Sequence, residues 1–122
     1  MSSPRVLVVE DDPPIARLVA RTARFEGAEV TMIADGLEAR DHWERISFSL
    51  VFLDAMLPAL DGISLCRERR LAGDRTPVIL ITARQVGEVL ELARDAEIDE
   101  VLAKPFAYED LVGILHRYLR GV

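Results

Sequence analysis

Four short apolar runs in the chain each stop on a residue with metal or phosphate chemistry. Val6 to Val9 runs into Glu10 and Asp11, Leu50 to Leu53 into Asp54, Val78 to Ile81 into Thr82, and Val101 to Ala103 into Lys104. Runs this short and this branched read as strands covered on both faces, the pattern of a parallel sheet. In an open parallel sheet the carboxyl ends of the strands lie along one edge, where ligands bind. The spacing therefore predicts that three carboxylates, a hydroxyl and an ammonium gather there. Carboxylates packed together call for a cation, and an ammonium across from them beside a hydroxyl suits an incoming phosphoryl group.

The intervening segments read as helices. Asp12 is a natural N-cap for a helix begun by Pro13 and Pro14, with Ile15, Leu18, Val19, Thr22 and Phe25 on one face and Gly27 closing it. A strand from Glu29 to Ile33 leads to a helix with Ala39, Trp43 and Ile46 inside. Pro58 and Gly62 shape the loop after Asp54, and a helix to about Leu71 buries Ile63, Leu65 and Cys66. A weaker helix, from about Gly87 to Ala96, has Val89, Leu92 and Ala93 as core candidates. Phe106 leads into a last helix with Tyr108, Leu111, Val112, Leu115 and Leu119 in register. Strands alternating with helices predict a three-layer α/β domain with right-handed crossovers.

Bulk properties narrow the function. At 122 residues, half of them apolar, the chain supports one domain over 1–122, with a core burying roughly two thirds of the unfolded surface. A net charge of -6 argues against nucleic acid or an anionic membrane as direct partner. The one cysteine, Cys66, cannot pair internally, and Met1 to Arg5 lacks an apolar signal core, so a cytoplasmic location is expected. Lys104 is the only lysine among 15 cationic residues. A lysine places a compact charge on a thin stem, which suits one oxygen in a narrow site.

Taken together, Val8-Val9-Glu10-Asp11-Asp12-Pro13, Asp54-Ala55-Met56-Leu57-Pro58 with Asp61-Gly62, Thr82-Ala83-Arg84 and Lys104-Pro105-Phe106 resemble the CheY-like receiver domain of bacterial two-component response regulators, across essentially the whole chain. The resemblance implies a flavodoxin-like (βα)5 sandwich with a five-stranded parallel sheet of order 2-1-3-4-5. It also implies transfer of a phosphoryl group from a histidine kinase or phosphotransfer protein onto Asp54, with Mg²⁺ held by Glu10, Asp11, Asp54 and the Met56 backbone carbonyl. Thr82 and Lys104 would then meet the phosphoryl oxygens. Pro105 is expected to follow a cis bond, as the family often turns sharply there. Met56 and Arg84 match the positions flanking attacking water; neither activates water as a carboxylate or amide could, so slow autodephosphorylation is expected. Taking the carboxylates to lie about 5 Å apart, Coulomb repulsion of about 3 kcal/mol per ionised pair predicts that Mg²⁺ stabilises the domain and that Asp54→Asn stabilises it without metal.

Three departures stand out. Val101 replaces the aromatic residue many receivers carry three places before the lysine, and Ala96-Glu97-Ile98 lacks the glycine common there. Receivers of winged-helix regulators often pair through charges on the fourth helix, fifth strand and fifth helix. On that surface Leu90 and Ile114 align with arginine positions, while Asp99 and Glu100 keep the acidic half. A salt-bridged homodimer is thus disfavoured, and an apolar patch of Leu90, Val101 and Ile114 is expected to meet an output domain, an effector or another copy. A flavin carrier would need a phosphate-cradling loop where Glu10-Asp11-Asp12 repels phosphate. A phosphatase of the haloacid dehalogenase type would need an acid at Met56. The alternative that Val101 leaves open is a phosphorylation-independent docking module.

Overall fold

The computed structural model describes residues 3–120. Its elements run β1 (Arg5–Val9), α1 (Pro13–Phe25), β2 (Glu29–Ile33), α2 (Gly36–Arg45), β3 (Leu50–Asp54), α3 (Gly62–Leu71), β4 (Val78–Thr82), α4 (Val86–Asp95), β5 (Glu100–Ala103) and α5 (Tyr108–Leu119). All strand pairs are parallel, in the order β2-β1-β3-β4-β5, as the resemblance implies. Alternate strand residues supply two cores. Val6, Val8, Phe52, Ile79 and Ile81 pack under α1 and α5, whereas Leu7, Val9, Val51 and Leu53 pack under α2 and α3. Every residue of β3 and β4 is buried, which accounts for their unbroken apolar runs.

The inner face of α1 is only in part the one expected: Val19, Thr22 and the partly buried Ile15 face the core, but Leu18 and Phe25 do not. Ala16, Val19, Ala20, Thr22 and Ala23 face the core, while Leu18 is 41% and Phe25 83% exposed. Small side chains let the helix lie close to the sheet, and Thr22 is accommodated because its hydroxyl donates to the Leu18 carbonyl at 2.7 Å. Asp12 occupies the N-cap position of α1 without a side-chain cap bond; instead its N–H donates to Glu10 Oε2 at 3.1 Å. In α4 only Val89 and Ala93 are buried, and Leu92 lies 43% exposed, so the helix is held by small side chains over Ala55 and Leu80. Tyr108 is likewise exposed rather than core.

The sheet edge opposite the strand carboxyl ends depends on a buried cation that hydrophobic periodicity could not reveal. Arg70, 6% exposed, donates to the carbonyls of Asp74, Thr76 and Glu97 at 3.0, 2.8 and 3.1 Å and to Asp99 Oδ2 at 3.1 Å. Asp99 Oδ2 also accepts from the Val78 N–H at 2.8 Å. A buried guanidinium is tolerated only with its donors paired, and here it ties α3 to the entries of β4 and β5. Glu97 takes the positive-φ conformation, φ 58°, at the turn where glycine is more common.

The expected apolar patch on the α4-β5-α5 face is corrected by packing. Leu90 is 38% exposed and Val101 half-buried, but Ile114 is 3% exposed and belongs to the core under α5. Asp99 is committed to Arg70, and Glu100 accepts from Arg117 Nη2 at 2.7 Å and Nε at 3.2 Å within the same chain. Neither acid is free for the usual intermolecular pairing. Ile114→Arg should therefore destabilise the fold by about 3 kcal/mol or more in urea denaturation, whereas Leu90→Arg should stay within about 0.5 kcal/mol. Equal, small effects would contradict this assignment of Ile114.

Candidate functional site

Backbone pairing continues one residue past β1, β3 and β5, and this sets the site. Glu10 N–H donates to the Ile33 carbonyl at 3.0 Å, Ala55 N–H to Ile81 at 2.9 Å and Lys104 N–H to Thr82 at 2.7 Å. Asp54 pairs with Ile81 and Thr82 with Ala103 in the parallel register, so residues far apart in sequence finish at one edge. Gly62 is required beneath them, because a Cβ there would overlap the Asp54 carbonyl oxygen.

The expected residues meet. One carboxylate oxygen each from Glu10, Asp11 and Asp54 lie within 4.8 Å of one another. Glu10 and Asp54 are buried, at 3% and 4% exposure, while Asp11 is exposed. Lys104 Nζ stands 3.0 Å from both Asp54 Oδ2 and Glu10 Oε1. Asp54 Oδ1 accepts from the Met56 N–H at 2.9 Å, so the carboxylate is oriented from both sides. Thr82, 1% exposed, accepts the Arg84 N–H at 3.0 Å, which leaves its hydroxyl proton free to donate. Met56 and Arg84 are exposed at the rim, Val101 packs half-buried near Leu80 and Val89, and the Lys104–Pro105 bond is cis as expected.

Electrostatics sharpen this arrangement. Burial pushes the Glu10 carboxyl up to about 7, with the hydrogen bond to Asp54 acting the same way and Lys104 and the Asp12 N–H opposing. The Lys104 ammonium is held above its ordinary range: burial works against the charge, and the hydrogen bonds to Asp54 and Glu10 more than offset it. Glu10 Oε1 is buried without a hydrogen bond of proper geometry, although the ammonium is near. A buried, under-satisfied carboxylate oxygen beside two further carboxylates is a donor set suited to a hard divalent cation such as Mg²⁺. Lys104 opposes the repulsion among the carboxylates. With the ammonium on Asp54 Oδ2, Asp54→Asn removes an attraction together with the repulsions, so its stabilising effect should shrink or vanish.

Glu10 has a folded-state pKa near 7 against an ordinary value of 4.5, so the folded state binds its proton more tightly. Its stabilising contribution is complete below about 4.5 and is lost as pH rises through about 7. In metal-free buffer, Tm should fall over that window in the unaltered protein more steeply than in Glu10→Gln; parallel curves would contradict the assignment. Lys104→Met leaves the carboxylates unopposed. It should lower the metal-free Tm near neutral pH by about 5 °C or more and enlarge the rise produced by millimolar Mg²⁺. No Mg²⁺ effect on either protein would count against a preassembled cation site.

The sequence matches the response regulator receiver domain over residues 6–116. Response regulator MprA of Mycobacterium sp. (strain KMS) is 38% identical over 116 residues, which covers 95% of this chain and 50% of that protein. The chain thus spans about half the length of the curated relatives it matches. Among solved structures, the receiver domain of Francisella response regulator 1452 superposes with a TM-score of 0.88 at 30% identity, covering 97% of this chain and 98% of that one. The receiver domain of the Pseudomonas aeruginosa PAO1 sensor histidine kinase PA1611, described with a magnesium ion coordinated in its active site cleft, gives a TM-score of 0.86 at 35% identity, covering 98% and 99%. Fold, acidic edge and sequence similarity agree: this chain belongs to the response regulator receiver domain family of two-component signalling.

Proposed function

We propose that residues 1–122 form a single cytoplasmic receiver domain that accepts a phosphoryl group on Asp54 from a sensor histidine kinase or phosphotransfer protein. The observation that carries this reading is the Lys104 ammonium, 3.0 Å from both Asp54 Oδ2 and Glu10 Oε1, at the strand edge that also holds Thr82. Asp54 is the nucleophile. Its carboxylate oxygen forms the new bond to phosphorus as the bond from phosphorus to the donor histidine nitrogen breaks, leaving the imidazole. The Met56 N–H orients the carboxylate, Lys104 meets one phosphoryl oxygen, and the Thr82 hydroxyl donates to another. Glu10, Asp11, Asp54 and the Met56 carbonyl would hold Mg²⁺, which supplies charge neutralisation at the phosphoryl oxygens. The domain acts on its own aspartate rather than turning over a substrate.

Switching is directed at an output domain or effector through the α4-β5-α5 face, where Leu90 and Val101 remain accessible. Direct binding of nucleic acid by this domain is disfavoured by its charge of -6, and no helix among the described residues is long and apolar enough to cross a membrane. A second reading, a docking module independent of phosphorylation, is favoured only by Val101, whose branched side chain replaces a ring that swings between two positions.

Incubation with acetyl phosphate and Mg²⁺ should add one phosphoryl group by mass spectrometry, absent in Asp54→Asn and in EDTA. With apolar Met56 and long Arg84 at the rim, the adduct should persist well beyond seconds. No adduct under these conditions would favour the docking module, and rapid repeated hydrolysis would favour an enzyme.

A further inference from the structure

A cleft of about 630 Å³ opens between α3 and α4, next to the β3–α3 loop. Its apolar walls include Met56, Leu57, Ile63, Val89 and Leu92. Met56 is 61% and Leu92 43% exposed, so large apolar side chains stand uncovered in a concave surface. The space exists because α4 seats itself with Val89 and Ala93 over Ala55, side chains too short to fill the gap toward α3. The volume falls in the range of small-molecule sites.

Two arginines, Arg67 and Arg84, also line this cleft. Eight of the 14 arginines are in ion pairs, whereas neither Arg67 nor Arg84 has one among the described residues. The cleft also carries two acids: Asp61 caps α3, accepting from the Ser64 N–H at 2.9 Å and the Ser64 hydroxyl at 2.7 Å, and the exposed Asp11 lies at the end beside the carboxylate cluster; neither pairs with Arg67 or Arg84. Two guanidinium forks without carboxylate partners among the described residues thus stand beside an apolar wall. Planar forks of this kind match carboxylate, sulfonate or phosphate groups.

We propose that the α3–α4 cleft binds a small organic anion with an apolar body, such as an alkyl carboxylate or aryl sulfonate. The apolar body covers Met56 and Leu92 while the anionic group meets Arg67 and Arg84. The cleft adjoins the cation cluster, sharing Asp11 and Met56 with it, but binding through Arg67 and Leu92 does not require Asp54 to be phosphorylated. It touches that cluster through Met56, whose N–H holds Asp54 Oδ1.

The test is fluorescence titration of the intact chain with anilinonaphthalene sulfonate, with folding of each variant checked by thermal denaturation. Saturable binding is expected, displaced by octanoate far better than by octanol. Arg67→Glu and Leu92→Asn should each weaken it by about tenfold, and Arg67→Lys should retain most of it. Phe25→Ser, on the exposed face of α1, should leave it unchanged. Absence of saturable binding, equal displacement by octanol, affinities within twofold in both cleft variants, or loss of binding in Phe25→Ser would each overturn the proposal.

Discussion

The structure turns on one ammonium placed between two buried carboxylates. Lys104 Nζ lies 3.0 Å from Asp54 and from Glu10, whereas the oxygens of the acidic cluster lie up to 4.8 Å apart. Coulomb energies scale inversely with distance, so the two close ammonium contacts offset much of the repulsion among the three carboxylates. The balance is incomplete, since one ammonium faces three carboxylates and Asp11 has no cationic partner among the described residues. That surplus makes the site receptive to a divalent cation. The same geometry suits the proposed phosphoryl group, whose negative oxygens would meet the ammonium and the Thr82 hydroxyl.

The parallel sheet makes this arrangement rigid. Strand pairing runs through the last residue of β3 and β4 and one further hydrogen bond beyond, so Asp54, Thr82 and Lys104 have little freedom to separate. At the opposite edge Arg70 plays the complementary part, holding α3 and the entries of β4 and β5 through backbone carbonyls and Asp99. Between these two anchored edges α4 is the lightly attached element. Its small inner side chains leave the neighbouring cleft open and its outer face uncovered.

That contrast bears on signalling. The acids that would pair two receivers are occupied within the chain, Asp99 by Arg70 and Glu100 by Arg117. The α4-β5-α5 face therefore presents a half-exposed Leu90 and a half-buried Val101 in place of a charge array. A partner of the kind proposed for this face would be chosen more by shape and apolar contact than by electrostatic steering.

The fold class and the chemistry of the site were legible in the chain because both are local patterns repeated in order. Apolar runs mark buried strands, and the residue that ends each run inherits a position at the carboxyl edge. Glu10, Asp11, Asp54, Thr82 and Lys104 could be named from that rule alone. The exact helix azimuth could not, because Leu18 and Phe25 fit the same run as Val19, and close approach to the sheet turned Ala16, Ala20 and Ala23 inward beside Val19 while Leu18 and Phe25 stayed exposed. Nor could the sequence show that Ile114 turns inward, that Arg70 is buried, or that Lys104 divides itself between Glu10 and Asp54. Those outcomes depend on distances between segments remote in the chain, which only the packed tertiary structure decides.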